Sequence, residues 1–299
     1  MERFTVMCSG SFVALITPML SDGSIDYAGL DNLVNFHLQQ ATDGLVIMGT
    51  TAEAATISFS EQLAIISRVV AKVNGKIPVL AGNGSNATSE GVTRTQELDK
   101  LAIDGFLTVT PFYNKPMQKG MVAHFRQIAE ATVKPVLLYN VPGRTGVDLL
   151  PETVAELALI DNIVGIKEAT GSMTRLAELQ QRCPADFRLL SGDDASSLAF
   201  MLAGGHGIIS VTANVAPALM ARLCKLTSQQ QRAAAKALDD TLQGLHHQLF
   251  IESNPIPTKW ALQRLGLIKS DFMRLPLTQL EPIHHSAIEQ ALQQAGLLA

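Results

Sequence analysis

Short aliphatic runs recur along the chain at nearly even spacing, and each is followed by a segment of helical periodicity. The runs lie at residues 12–17, 44–49, 78–82, 105–110, 135–140, 163–168, 187–191 and 207–211. Most are apolar almost without interruption rather than alternating, which marks strands buried on both faces, as in a parallel sheet. Their start-to-start intervals of about 20 to 35 residues are long enough for a βα unit.

The intervening segments carry helix signals. Leu30, Leu33, Val34 and Leu38 share one helical face, and Ser58-x-x-Glu61 predicts a capping box ahead of Leu63, Ile66 and Val70. Val122, Phe125 and Ile128 form another stripe. Pro151 and Pro217 suit first helical turns, the former before Val154, Leu157 and Ala158, the latter before Leu219 and Leu223. Eight consecutive units of this kind predict an α/β fold, a closed (β/α)8 TIM barrel, with a doubly wound open sheet as the alternative. After about Leu226 the strand signals stop. Ser228-x-x-Gln231 predicts a helix start, followed by Leu238, Leu242, Leu245 and Leu249, and Pro255-Ile256-Pro257 predicts its break. A further helix is expected from Thr258 to Gly266 and a last one over residues 282–296. The expected organisation is a catalytic barrel over residues 1–226 and a C-terminal helical extension over 227–299, too small for a secure independent domain.

Composition narrows the function classes. Of the 299 residues 47% are hydrophobic and 17% charged, a core-rich globular balance. Net charge is −4 without a long basic run, so neither nucleic acid nor an anionic membrane is indicated as a partner. Cys8, Cys183 and Cys224 are odd in number and scattered, which suits reduced thiols in a cytoplasm. Residues 1–20 are rather apolar, but Ser9-Gly10-Ser11 interrupts them and Thr17-Pro18 ends them like a strand. No apolar stretch reaches the ~18 residues of a membrane span.

Barrel enzymes place their chemistry at the carboxyl ends of the strands. There the second strand offers Gly49-Thr50-Thr51-Ala52-Glu53, the fourth Thr110-Pro111-Phe112-Tyr113-Asn114 and the fifth Tyr139-Asn140-Val141-Pro142-Gly143-Arg144. The sixth ends in Lys167-Glu168, the seventh in Ser191-Gly192-Asp193-Asp194 and the eighth in Ser210-Val211-Thr212-Ala213-Asn214. A strand-end lysine can simply snorkel to water. A lysine taken out of water is instead biased toward the neutral amine, which attacks a carbonyl. Two of the chain's three tyrosines and several threonines at neighbouring strand ends could shuttle the protons of such amine catalysis. The amides of the Gly-Thr-Thr turn could hold a keto-acid carboxylate, and Arg144 a second one.

Rival motifs are weaker. Gly82-Asn83-Gly84-Ser85-Asn86-Ala87 matches G-x-G-x-x-A, with Asp104 downstream, but in the third unit rather than the first. Gly204-Gly205-His206-Gly207 reads as a tight turn, and His246-His247 and His284-His285 read as solvated surface. No His, Asp or Glu cluster has metal-ligand spacing, so no metal and no cofactor is expected.

The segments 107–116, 139–146, 165–171, 190–195 and 254–257 resemble the dihydrodipicolinate synthase family of the pyruvate-dependent class I aldolases, and the resemblance runs end to end. It implies condensation of pyruvate with aspartate 4-semialdehyde in diaminopimelate and lysine biosynthesis, by a homotetramer, a dimer of dimers. By the same resemblance Lys167 carries the Schiff base and Tyr139 is the proton donor and acceptor. Thr50 and Tyr113 complete the relay, Tyr113 reaching in from a neighbouring subunit. Thr51 and the backbone of Ile209 contact pyruvate, while Arg144 and Gly192 receive the semialdehyde. Arg144 separates this family from sialic-acid lyases.

Two departures stand out. The family's Gly-Thr-Thr-Gly-Glu-Ser turn reads Gly-Thr-Thr-Ala-Glu-Ala here, which makes the backbone at Ala52 a question: a positive φ would make its Cβ costly, whereas with a negative φ the alanine is harmless to the backbone and could only crowd the pyruvate pocket. The family's lysine-inhibitor site corresponds to Ala54, Ala55, Phe59, Gln62, Asn86, Glu90 and Phe112, where several polar side chains of lysine-sensitive members are missing. Weak or absent lysine inhibition is therefore expected. The alternatives are another pyruvate aldolase cleaving a sugar keto acid, a catalytically impaired keto-acid-binding paralogue, and a dinucleotide-binding oxidoreductase.

Overall fold

The computed structural model describes residues 8–298; the first seven residues of the apolar N-terminal segment lie outside the described residues. Eight parallel strands close into a barrel in chain order. They are β1 (Gly10–Ala14), β2 (Gly44–Ile47), β3 (Val79–Gly82), β4 (Gly105–Val109), β5 (Val136–Asn140), β6 (Ile163–Glu168), β7 (Arg188–Ser191) and β8 (Gly207–Ser210). The helices between them are α1 (Tyr27–Gln39), α2 (Phe59–Val73), α3 (Thr88–Asp99), α4 (Gln118–Glu130), α5 (Pro142–Thr145), α6 (Pro151–Leu157), α7 (Met173–Arg182) and α8 (Ser197–Leu202). After the barrel come α9 (Pro217–Ser228), α10 (Arg232–Gln248), α11 (Ile256–Arg264) and α12 (His285–Gln294). Contacts group the chain into two compact units, Met1–Gly10 with Pro78–Ile209 and Ser11–Ile77 with Ser210–Ala299.

The continuous apolar runs are strands because both of their faces are buried: β2, β5 and β8 are buried at every position. β1 differs most from expectation, ending at Ala14 rather than at residue 17. The Asn214 amide takes over its pairing, donating to the Ala14 carbonyl at 2.9 Å and accepting the Ile16 N–H at 3.1 Å.

The helix signals hold with local shifts. Ser58 and Glu61 form the capping box, which contributes about 1 kcal/mol in comparable helices. The buried face of α2, however, is Gln62, Ile65, Ile66, Val69 and Val73, one position off the expected stripe. Ser228 starts no helix; its hydroxyl donates back to the Lys225 carbonyl in the last turn of α9, and α10 begins at Arg232. The expected break at Pro255 and Pro257 falls elsewhere: α10 already ends at Gln248, and the two prolines instead stand at the start of α11, which opens at Ile256 rather than at Thr258. Their missing N–H groups cost nothing in a first turn, where those donors have no intrahelical partner.

One irregularity sets the position of Lys167. Between β5 and β6 Val136 pairs with Ile163, but Leu137 pairs with Gly165, leaving Val164 as an extra residue. This bulge brings Tyr139 opposite Lys167 and Asn140 opposite Glu168. Without it Ile166 would stand opposite Tyr139 and Lys167 would turn to the other face. Gly165 fits beside the bulge because a Cβ there would lie 2.4 Å from the Arg188 carbonyl oxygen.

Candidate active site

Lys167 and Tyr139 are paired residues near the carboxyl ends of adjacent strands, and both are nearly buried, 5% and 7% exposed. The lysine Nζ lies 4.4 Å from the centroid of the Tyr139 ring. Burial and an aromatic wall leave the amine a small volume to explore, which is what a nucleophile needs if its attack geometry is to be reproducible. Gly192, after β7, faces the lysine stem: a Cβ there would lie 2.8 Å from Lys167 Cε. Its N–H donates to the Glu168 carbonyl at 2.7 Å, tying β7 to the end of β6.

A charged network braces this strand end. Asn140 Nδ2 donates to Glu168 Oε2 at 3.0 Å and to Asp148 Oδ1 at 2.8 Å, while the Leu149 N–H donates to Asn140 Oδ1 at 3.0 Å. Arg175 grips Asp148 with both terminal nitrogens at 2.9 and 2.6 Å and lies 3.7 Å from Glu168. Burial pushes the Glu168 carboxyl above the usual carboxylate range, whereas the Arg175 guanidinium holds Asp148 below it. The same network fixes the loop after α5, the short helix that carries Arg144. Arg144 is exposed in its last turn.

Tyr113 is elsewhere on this unit's surface. It is 89% exposed and has a φ of 73°, a left-handed backbone that bulky residues rarely adopt, with its N–H donating to the Thr145 carbonyl at 3.2 Å. Ile209 is buried in β8.

In the other unit, Thr50–Ala52 form a single 3-10 turn after β2. Ala52 takes no left-handed conformation; that belongs to Glu53, with φ 59° and ψ 34°. The alanine is therefore unstrained, and its carbonyl accepts a hydrogen bond from Thr17 Oγ1 at 2.8 Å. Thr51 is buried and accepts from Asn254 Nδ2 at 2.9 Å. Glu53 meets Lys259 Nζ at 2.7 Å, and both side chains are essentially inaccessible, 1% and 0% exposed. Neither Asn254 nor Lys259 is singled out by sequence spacing, although Asn254 opens the 254–257 segment that helps carry the family resemblance.

The seven positions of the inhibitor-site expectation fall in both units. Gln62 spends its amide on the Ala54 and Ile57 carbonyls at 3.1 and 2.9 Å, and Ala54, Ala55 and Phe59 offer no side-chain polar group. In the other unit Asn86 donates to the Phe112 carbonyl at 3.3 Å, and Glu90 accepts from Ser85 and Arg94 at 2.7 Å each.

The remaining motifs are absorbed by packing. Gly84 of the glycine pattern presses on Val109, whose Cγ1 would lie 2.5 Å from an added Cβ, and Ser85 with Glu90 occupies the helix start that a phosphate would need. Gly204 and Gly207 take positive φ in the expected turn, where His206 Nδ1 accepts the Leu189 N–H. His246 corrects the surface expectation: it is buried, 2.9 Å from Thr212 Oγ1, because it lies on the inner face of α10. His285 stacks on Trp260. Among the described residues no helix is long and apolar enough to cross a membrane, and no group of three or more His, Cys, Asp and Glu could hold a metal ion.

Comparison with known proteins agrees over nearly the whole chain. The model of the Dihydrodipicolinate synthetase family matches residues 7–295. The 4-hydroxy-tetrahydrodipicolinate synthase of Laribacter hongkongensis is 51% identical over 98% of this chain and 100% of its own length. That of Methylococcus capsulatus is 52% identical over the same shares. Among solved structures, the chloride-inhibited dihydrodipicolinate synthase of Acinetobacter baumannii in complex with pyruvate superposes with a TM-score of 0.95. It is 45% identical and covers 97% of this chain and 99% of its own. A lysine-bound enzyme from Cyanidioschyzon merolae superposes with a TM-score of 0.94 at 37% identity, covering 97% and 99%. This chain therefore belongs to the dihydrodipicolinate synthetase family.

Proposed function

We propose that this protein is a lyase of the class I aldolase type that condenses pyruvate with aspartate 4-semialdehyde to give 4-hydroxy-tetrahydrodipicolinate, the committed step toward diaminopimelate and lysine. The observation that carries the assignment is the near-buried Lys167 amine against Tyr139, at paired strand ends, in a chain aligned end to end with synthases of that name.

The Lys167 amine attacks the pyruvate ketone and water leaves, giving an iminium whose positive charge draws electrons from the methyl group. Loss of a methyl proton then gives an enamine, and its carbon attacks the semialdehyde carbonyl. The amine of the bound semialdehyde next attacks the former ketone carbon, which closes the ring and frees Lys167. Tyr139 is assigned as proton donor and acceptor, since its ring already flanks the amine. Thr50 and Tyr113 are assigned to the relay that restores its proton. Thr51 and the backbone of Ile209 are assigned to pyruvate, and Arg144 with Gly192 to the semialdehyde. The solvent exposure of Arg144 suits a guanidinium that binds a carboxylate.

The assembly assigned here is a homotetramer in which Tyr113 completes the relay of a neighbouring copy. Its 89% exposure on a strained backbone favours that role over one in its own barrel. Residues 1–226 are taken as the catalytic barrel and 227–299 as its helical appendage, and the three free cysteines favour a cytoplasmic setting. Feedback by lysine is taken to be weak, because the polar groups of Gln62, Asn86 and Glu90 are already engaged.

Borohydride reduction in the presence of pyruvate, followed by peptide mass spectrometry, tests the Schiff base. The expected adduct is on Lys167, and its absence would overturn the mechanism. Product formation with aspartate 4-semialdehyde then tests the substrate assignment, and trapping without product would point to another pyruvate aldolase.

A further inference from the structure

The turn after β2 is held by residues from more than 200 positions further along the chain. Lys259, in α11, places Nζ 2.7 Å from Glu53 Oε1 and donates to the Phe272 carbonyl at 2.6 Å. The Arg274 N–H reaches the other carboxylate oxygen at 3.4 Å, and its guanidinium binds the Gly23 and Thr56 carbonyls and the Glu61 carboxylate. Asn254 holds Thr51 and Thr17 holds Ala52. The turn is therefore gripped at three successive residues, and the strongest grip falls on the one in a left-handed conformation.

A fully buried ion pair is a poor device for stability alone, since desolvating both charges offsets most of their attraction. Burial also lowers the Lys259 pKa, with Glu53 acting against the shift. What such a pair does well is specify one geometry: Glu53 can neither leave the pair nor relax its backbone without stranding a charge. We infer that Lys259 is a positioning residue for pyruvate, fixing through Glu53 the turn that presents the Thr50 hydroxyl and Thr51. This rests on the assignment of Thr50 and Thr51 made above. It gives the C-terminal helices a part in catalysis through the turn they hold.

The test is Lys259→Met, which removes the charge and keeps the bulk. The readout is borohydride trapping of pyruvate on Lys167 as a function of pyruvate concentration, alongside steady-state constants for both substrates. Half-maximal trapping should move up by about tenfold, which corresponds to about 1.4 kcal/mol. The KM for aspartate 4-semialdehyde should stay within about twofold, and adding Thr51→Val should cost little more, because both changes act on one turn. Glu53→Gln, which keeps an oxygen facing Lys259, should shift the same constant less, and it carries the test where Lys259→Met fails to fold. A folded variant with the wild-type pyruvate dependence, or one in which both substrate constants rise alike with a lowered melting temperature, overturns the inference. Wild-type protein that traps no pyruvate overturns the functional reading itself. Trapping by wild type together with an unaltered Thr51→Val variant overturns only the role of the turn.

Discussion

Adding one methyl group at Gly192 should disable Lys167 without altering its chemistry. A Cβ at Gly192 would lie 2.8 Å from Lys167 Cε, 3.0 Å from Cγ and 2.7 Å from the Ala169 Cβ. Carbon pairs settle at about 3.5–4.0 Å, so the shortfall is roughly 0.7–1.2 Å. The backbone cannot open to relieve it easily, because Gly192 donates to Glu168 at 2.7 Å and Lys167 is in register with Leu190. The flexible lysine stem must therefore give way and the Ala169 Cβ shift with its backbone, carrying the amine about 1 Å from the position set by Tyr139, and a displacement of that size costs on the order of 10²-fold in rate. Overpacking costs about 1–3 kcal/mol, the upper end applying because the Ala169 Cβ cannot rotate aside, which for a chain of this size is a few degrees in melting temperature. Rapid borohydride trapping with pyruvate alone isolates the lysine from any effect on the second substrate. A Gly192→Ala variant trapping at the wild-type rate would refute the claim that this contact confines the amine.

Three further outcomes are expected. Arg175→Met strands the buried Glu168 and the Asp148 carboxylate, and urea unfolding should show a loss toward the lower end of about 3–5 kcal/mol, since Asp148 is partly screened by water; unchanged stability would contradict the bracing role. Burial pushes the His37 imidazole down to about 3, against about 6.5 in an unfolded chain. The unfolded state therefore binds the extra proton, so this contribution is complete above pH 6.5 and declines as the pH falls toward 3, by about 1.4 kcal/mol per unit. His37→Asn should flatten that decline, and equal slopes for variant and wild type would exclude His37 as its source; His124, pushed down to about 4, acts in the same direction. Finally, millimolar lysine should leave the initial rate essentially unchanged, and strong inhibition would sink the reading of the Gln62, Asn86 and Glu90 side chains as already engaged.

What could be read from local pattern is what local physics controls. Strands buried on both faces must be continuously apolar, so all eight were visible and most of their bounds lie within two residues of expectation. The Ser58–Glu61 capping box and the first-turn prolines are satisfied within a few residues and were equally legible. Where two local readings competed, tertiary contacts chose. Ser228 bonded back into α9 instead of starting α10, and His246 turned its imidazole inward to Thr212.

The sequence by itself determined the order of strands and helices, the placement of Lys167 and Tyr139 at strand ends with Arg144 in the segment after one of them, and, through its motifs, the family. Tertiary structure alone decided three things. The extra residue at Val164 sets the β5–β6 register, and hence the pairing of Lys167 with Tyr139, because register depends on two strands at once. Glu53, not Ala52, takes the left-handed conformation after Thr50 and Thr51. The alanine substitution is harmless to the backbone for that reason. And Glu53 is held there by Lys259, whose role follows from a contact closed across 206 residues and lies outside any spacing rule. Periodicity reports which face of an element is buried; it carries no information about which distant side chain will meet it there.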